Sequence, residues 1–136
     1  MRMLLIHGDF KYRAKERVRM PVAEEAAKEW NELQNALIVF TCIEEGDEKK
    51  SDIIPRAANE IATVADRVKT RSIVLYPYAH LSDSLASPSI ALGALRGIGE
   101  QLGKKGYKVT RSPFGWYKEF VLTNYGHALA ESFRTL

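Results

Sequence analysis

The sequence has few of the side chains that metal and redox sites need. Cys42 is its only cysteine, and its three histidines, His7, His80 and His127, lie far apart along the chain. The spacings C-x-x-C and H-x-x-x-H, which are typical of zinc sites, do not occur. A single cysteine excludes an internal disulfide, and its place in the apolar run ALIVFTCI predicts a core residue. We therefore expect no metal site in this chain.

Long apolar runs and the common nucleotide and hydrolase motifs are also missing. No run approaches the roughly 20 residues of a membrane span, and the apolar part of the start, MRMLLIHGDF, is too short for a signal peptide. We therefore expect a cytoplasmic protein that does not associate with membranes. The stretch GEQLGKKG lacks P-loop spacing, and the G-x-S-x-G elbow of many serine hydrolases is absent. Neither class of enzyme is indicated.

The residues that are present fit one mixed α/β domain. The chain has 136 residues, of which 46% are hydrophobic, and a net charge of +3. That length supports one domain with one core, so we predict a single domain over residues 1–136. The weak positive charge permits a polyanionic partner without requiring one.

Hydrophobic periodicity predicts strands and two main helices in mixed order. The runs MRMLLIH, NALIVFTCIE, SIVLYPY, YKVTRSP and GWYKEFVLT indicate strands, while ALAESFRTL fits either a strand or a short helix. Apolar residues recur at steps of three and four in SDIIPRAANEIATVADRVKT and ASPSIALGALRGIGEQLGKKG, which predicts two amphipathic helices. Ser51 or Asp52 is the expected N-cap of the first helix, and Ser87, followed by Pro88, is that of the second. The stretch AEEAAKEWNEL also has helical spacing.

A row of cations stands out near the start of the chain. In KYRAKERVR a lysine or arginine occupies every second position, so a strand there would present five cations on one face, among them Arg13, Lys15 and Arg17. One interpretation is a solvated edge strand whose charges prevent aggregation. The other is a surface that binds RNA phosphates.

Three polar side chains in apolar surroundings are candidates for chemistry. Strand alternation in FGWYKEF places Lys118 on one face with aromatic side chains, where an ammonium must reach solvent, pair with an acid or serve a function. Glu131 in HALAESF has similar neighbours and is a candidate partner of Lys118. His80 follows the strand SIVLYPY and precedes a serine-rich helix start, where donors suit an anion or a carbonyl oxygen. A surface lysine and a structural histidine are the ordinary alternatives.

Four blocks of sequence occur in the order MRMLLIHGDF, YPYAHLSDSLASPSIA, SPFGWYKEF and GHALAESFRT. They resemble the amino-terminal editing domain of archaeal threonyl-tRNA synthetases over essentially the whole chain. The resemblance implies a D-aminoacyl-tRNA deacylase-like fold with mixed β-sheets and two main helices. It further implies a homodimer that hydrolyses L-serine wrongly attached to the 3′ end of tRNA(Thr), with no cofactor. The catalytic and anticodon-binding domains of a synthetase are further implied partners.

The resemblance also assigns site residues. The family's histidine after Pro-x-Ala falls on His80, its Tyr-Lys pair falls on Tyr117 and Lys118, and its closing acid falls on Glu131. These four are the expected catalytic residues. The expected wall of the substrate pocket consists of Ile43, Pro77, Ala79 and Phe114.

Two alternatives stay open at this point. A D-aminoacyl-tRNA deacylase would share the implied fold, and a non-catalytic tRNA-binding or dimerisation module would keep the basic face without needing Lys118 or Glu131 in apolar surroundings. The sequence also departs from the family pattern twice, with Gly8 where serine or alanine is commoner and Trp116 where tyrosine is commoner. Neither departure removes a polar group that the implied chemistry uses.

Overall fold

Six strands and two α-helices form where local hydrophobic periodicity is strong. The computed structural model describes all 136 residues. The strands are β1 Arg2–Arg17, β2 Asn31–Cys42, β3 Ser72–Pro77, β4 Lys108–Arg111, β5 Trp116–Asn124 and β6 Glu131–Thr135. The helices are α1 Ile53–Arg67 and α2 Pro88–Lys104, and short 3-10 turns cover Asp47–Lys49 and Ala79–Leu81.

All six strands join one mixed sheet. Its order is β4-β3-β2-β1-β5, and β6 also pairs with β1. The pairs β2/β3 and β3/β4 are parallel, because α1 and α2 form the crossovers between those strands. β1 is antiparallel to β2, β5 and β6, with β6 on residues 2–6 and β5 on residues 8–17 of the same strand. β1 therefore links the parallel half of the sheet to the strands at the end of the chain.

The two faces of the sheet carry different cores, because successive side chains of a strand point to opposite faces. One face packs on both helices and forms a cluster of 18 buried residues that includes Leu37, Ile61, Ile73 and Ile98. The other face carries a smaller and more aromatic cluster that includes Phe10, Phe40 and Tyr76. We call these the helix face and the aromatic face. The candidate catalytic lysine lies beside the aromatic face.

Both main helices are confirmed, with the predicted starts. Asp52 is the N-cap of α1, and Ser87 is the N-cap of α2 with Pro88 as its first residue, although neither cap side chain makes a capping hydrogen bond. Cys42 is buried, as predicted. The ambiguous segment ALAESFRTL forms the strand β6. No helix of this structure is both long and apolar enough to cross a membrane.

The prediction of a helix in AEEAAKEWNEL is wrong. No helix occurs between β1 and β2, and Asn31 already begins β2. The reason is tertiary, because Glu24 uses its backbone N–H and C=O on Phe114 and Trp116 instead of on a helical turn.

Most of the cationic row lies in the second half of β1, but Arg19 follows the end of the strand and a bulge between Ala14 and Glu16 interrupts the alternation, so the prediction of five cations on one strand face is wrong. Residues 13–17 extend past the end of β2 and pair with β5 alone, so one edge of this stretch is open, as the edge-strand interpretation expects. Farther back along β1, Gly8 allows an unusually close approach of β5. A Cβ placed on Gly8 would overlap the carbonyl oxygen of Thr123, so a side chain fits there only if the strands move apart.

Candidate active site

A groove runs between the end of β3, the turn that follows it and the start of β5. It has a volume of about 440 Å³, and His80, Tyr117 and Lys118 all line it. A second, more apolar cavity of about 160 Å³ contains all four expected wall residues, Ile43, Pro77, Ala79 and Phe114. The groove and the cavity share walls, because Met20, Pro77, Tyr78, Ala79 and Phe114 line both. The fold thus brings seven of the eight predicted catalytic and wall residues to two adjoining spaces.

Lys118 is held over the aromatic face by its own loop. Its Nζ donates hydrogen bonds to the carbonyl oxygens of Pro113 at 2.8 Å and Trp116 at 3.0 Å. The same atom lies 5.0 Å from the centroid of the Tyr76 ring, within cation–π range. Burial lowers the pKa of Lys118 to about 8, against an upward effect of the Glu24 carboxylate. Since an ammonium has three N–H donors, one remains for a ligand in the groove.

His80 and Tyr117 offer polar groups at the rim of the same groove. His80 lies in the exposed turn Ala79–Leu81, and its ring packs edge-on against Tyr78 with the centroids 5.2 Å apart. Tyr117 is next to Lys118 on β5 and is 62% exposed. Both side chains are accessible to a large substrate, whereas Lys118 is partly enclosed. The groove can therefore offer a fixed cation and two exposed polar groups.

Comparison with known proteins identifies the family. A family model described as the archaea-specific editing domain of threonyl-tRNA synthetase matches residues 1–136. The chain belongs to this family. It is 45% identical over 141 residues to a threonine–tRNA ligase of Thermococcus onnurineus and 46% identical over 140 residues to one of Staphylothermus marinus, and 100% of the chain is covered in both. The chain spans 22% of the length of these relatives.

A solved structure shows the same fold. The c-Myc DNA Unwinding Element Binding Protein superposes with a TM-score of 0.75 at 14% identity, covering 100% of this chain and 99% of that one. At this identity the likeness concerns the fold alone. The mixed α/β, D-aminoacyl-tRNA deacylase-like fold class expected for the editing domain is confirmed.

Glu131 does not meet Lys118 within one editing domain. Along β1, Glu131 pairs with Ile6 and Lys118 pairs with Ala14, so eight residues of strand, or about 26 Å, separate them. The Glu131 carboxylate instead accepts a hydrogen bond from Asn124 at 2.5 Å. The expectation that one chain pairs these two side chains is therefore wrong, because the register of β5 and β6 on β1 sets them apart.

The candidate RNA-binding cations lie beside the groove rather than in it. Arg13 is 2.7 Å and Lys15 is 3.7 Å from the carboxylate of Glu119, so both are partly neutralised. The Arg13 guanidinium also stacks on Trp30 at 4.6 Å. Arg17 pairs with Trp116 in the sheet and donates to the Ala23 carbonyl oxygen at 3.4 Å.

The fold brings together two histidines that are distant in sequence. His7 Nδ1 and His127 Nε2 are 2.7 Å apart, and His7 Nε2 is 2.7 Å from the side-chain oxygen of Asn35. His127 Nδ1 accepts the backbone N–H of Leu129, so in the neutral pair Nε2 of each ring carries the proton. These hydrogen bonds occupy every ring nitrogen, and no group of three or more His, Cys, Asp or Glu residues could hold a metal ion.

Four residues of the site were not predicted from the sequence. Met20 and Tyr78 line both the groove and the cavity, and Glu24 ties a neighbouring loop to the turn that holds Lys118. Tyr76 and Tyr78, two apart in SIVLYPY, carried a usable signal, because strand alternation puts them on one face. Met20 and Glu24 lie in an irregular segment where periodicity gives no signal.

Proposed function

We propose that this editing domain hydrolyses the ester of L-serine wrongly attached to tRNA(Thr), as part of a threonyl-tRNA synthetase in the cytoplasm. Membership of the editing-domain family supports aminoacyl-tRNA editing. The observation that carries the finer proposal is the shared boundary between the groove with Lys118, Tyr117 and His80 and the small cavity beside it. In this account the groove takes the terminal adenosine and the cavity takes the aminoacyl side.

The need for such an activity follows from the energetics of recognition. Serine is threonine without one methyl group, which is worth only about 1–3 kcal/mol in a binding pocket. A synthetase that must admit threonine therefore cannot exclude serine by binding alone. Hydrolysis at a second site removes the error after it has been made.

The side chains of the groove fit ester hydrolysis by water. The reaction needs a positioned water, a proton acceptor and donors for the oxyanion. Lys118 holds the water or a ribose hydroxyl with its remaining N–H, and Tyr117 and His80 orient the sugar. Ala79 and His80 are the first two residues of a 3-10 turn, where backbone N–H groups have no partner within the turn. These two N–H groups could donate hydrogen bonds to the oxyanion. No cofactor takes part.

A homodimer is the proposed assembly, and it would give Glu131 a role. Leu129 and Phe133 are about half exposed just before and within β6, and a second copy would cover them. Because one chain keeps Glu131 about 26 Å of strand away from Lys118, Glu131 can act with this lysine only across the interface with a second copy.

Complementation tests this shared site. Co-expressed Lys118→Met and Glu131→Ala chains would form heterodimers in which one site has both wild-type residues, so the mixture should be more active than either variant alone. If the mixture is no more active than the variants while sedimentation shows that heterodimers form, Glu131 has no role across the interface.

We also propose that the acceptor end of the tRNA passes along the open edge of β1. Arg17 and Lys15 lie next to the strand that carries Lys118, so cations at 13, 15 and 17 would meet phosphates just outside the groove. The catalytic and anticodon-binding domains of the synthetase would hold the rest of the tRNA.

The substrate assignment is tested with two charged forms of one tRNA. Purified domain is mixed with L-seryl-tRNA(Thr) and, separately, with D-seryl-tRNA(Thr), and the intact ester is followed with time. We expect rapid loss of the L-serine ester alone. Hydrolysis of the D-serine ester with the L-serine ester left intact would instead identify a D-aminoacyl-tRNA deacylase. Binding of both without hydrolysis would identify a non-catalytic module.

A further inference from the structure

We infer that Glu24 is a positioning residue for Lys118, which it acts on by fastening the turn at residues 113–116 whose carbonyl groups hold the lysine ammonium. The inference rests on the proposed hydrolysis for its effect on rate. Its geometric part concerns the free protein and stands on contacts that no substrate makes. Glu24 lies in the segment between β1 and β2, about 90 residues before the turn that it holds.

The carboxylate of Glu24 binds the base of this turn with several charged hydrogen bonds. Arg111 donates to its two oxygens from Nη1 and Nη2, both at 3.1 Å, in the forked arrangement that is among the strongest between side chains. The backbone N–H of Phe114 donates to the same carboxylate at 3.1 Å, and Arg96 approaches it at 3.4 Å. Burial alone would raise the pKa of Glu24, but these hydrogen bonds hold it below its ordinary value. The carboxylate is therefore charged and fully engaged at neutral pH.

The backbone of Glu24 binds the same turn from the other side. Its N–H donates to the carbonyl oxygen of Phe114 at 2.9 Å, and its carbonyl oxygen accepts the indole N–H of Trp116 at 2.8 Å. Gly115 sits between them at φ +85°, and a Cβ there would lie 2.7 Å from the Cβ of Ala23. The segment and the turn are thus packed too closely for either to shift alone.

These hydrogen bonds of Glu24, which we call the clasp, lie next to the proposed catalytic lysine. The two carbonyl groups that accept from Lys118 Nζ belong to Pro113 and Trp116. Pro113 directly precedes Phe114, which Glu24 holds through the backbone, and Trp116 is held by Glu24 through its indole N–H. If the clasp loosens, both acceptors move and the ammonium moves with them. A displacement of about 1 Å in a catalytic group can reduce a rate by about 100-fold. The carboxylate also favours the charged form of Lys118, and it raises the pKa of the lysine against the larger lowering effect of burial.

The test compares Glu24→Gln with a neighbouring control. Glutamine keeps the size and one acceptor oxygen but removes the charge that attracts Arg111. Glu25→Gln makes the same change one residue later, on an exposed side chain. Glu24→Asp keeps the charge and shortens the reach, which separates charge from position and gives a second variant should glutamine unfold the domain.

Two readouts are taken from each variant. The first is the NMR titration of the Lys118 side-chain CH₂ beside Nζ, assigned by its disappearance in Lys118→Met. The second is single-turnover hydrolysis of L-seryl-tRNA(Thr). For Glu24→Gln we expect a lower pKa of Lys118 and hydrolysis slower by about 10- to 100-fold. For Glu24→Asp we expect slower hydrolysis with a smaller change in the pKa, and Glu25→Gln should match the wild type in both readouts.

The outcomes separate this inference from the proposed function. A folded Glu24→Gln protein that matches Glu25→Gln in both the titration and the rate would overturn the role of Glu24. If the wild-type domain fails to hydrolyse the substrate, the proposed function falls, and the titration of the Glu24→Gln and Glu24→Asp variants still decides whether Glu24 acts on Lys118. A drop in rate with an unchanged Lys118 titration in all variants would also overturn the inference, because Glu24 would then act elsewhere.

Discussion

Replacing Lys118 with methionine should slow hydrolysis strongly while leaving the fold intact. Methionine keeps the apolar stem over Tyr76 but removes the ammonium that donates to Pro113 and Trp116 and offers a third N–H to the groove. Loss of one positioned polar group of this kind reduces a rate by about 100-fold or more, or about 3 kcal/mol in the barrier. We expect that loss in single-turnover hydrolysis of L-seryl-tRNA(Thr).

The same change should alter stability only slightly at pH 7. Burial lowers the pKa of Lys118 from 10.5 to about 8, which corresponds to a cost of about 3 kcal/mol for keeping the ammonium charged in the folded state. Methionine removes that cost. It also leaves the carbonyl groups of Pro113 and Trp116 without their donor, at about 1–3 kcal/mol. The two effects oppose each other, so the free energy of unfolding should stay within about 2 kcal/mol of the wild type.

The pH dependence of stability has a definite direction, unlike the change expected at pH 7. Between pH 8 and 10.5 the unfolded chain keeps the proton of Lys118 while the folded chain loses it, so this residue makes the wild type more stable as the pH rises through that window. Below about pH 8 both states are protonated and the contribution is flat. Urea unfolding should be measured for the wild type and Lys118→Met from pH 6 to 11. The free energy of unfolding of the wild type, taken relative to that of Lys118→Met, should rise above pH 8.

Two results would contradict the role given to Lys118. A folded Lys118→Met protein with near-normal hydrolysis would show that His80, the backbone donors and the substrate's own hydroxyl carry the chemistry. A stability difference that does not change between pH 8 and 10.5 would show that Lys118 is not buried as the structure has it. Circular dichroism of the variant controls for loss of fold.

Other predictions concern the sheet, the tRNA and metals. Gly8→Ala should lower the free energy of unfolding by about 2 kcal/mol in urea, because its Cβ would overlap the carbonyl oxygen of Thr123; an unchanged midpoint would contradict that close approach. Replacing Arg13, Lys15 and Arg17 with alanine should weaken tRNA binding and flatten its salt dependence, whereas an unchanged salt slope would favour the solvated edge. EDTA should leave the hydrolysis rate unchanged, whereas loss of hydrolysis on adding EDTA would indicate a metal requirement.

The strands and main helices could be predicted because their signal is local. In α1 and α2 the apolar residues recur at helical spacing, and Ser87 and Pro88 mark the start of α2. This signal lies within each segment, and tertiary contacts do not override it. The helix predicted around Glu24 had the same local signal. It failed because contacts with Arg111, Phe114 and Trp116 outweigh a weak helical preference.

The candidate site also has a part that could be predicted from local sequence and a part that could not. Alternation along β5 was enough to place Lys118 among aromatic side chains, and the family resemblance named the residues that meet it in the groove. The distance between Lys118 and Glu131 could not be read from sequence, because it depends on where β5 and β6 each pair along β1. The meeting of His7 with His127 is another product of register, invisible to an argument from sequence distance.

The decisive experiment is single-turnover hydrolysis of seryl-tRNA(Thr) and threonyl-tRNA(Thr) measured side by side on the wild-type domain. If the domain edits serine, the serine ester is lost at least about tenfold faster than the threonine ester, the range that one methyl group can provide in a pocket. Equal rates for the two esters, or no hydrolysis of the serine ester above the rate in buffer, would contradict the proposed editing of serine.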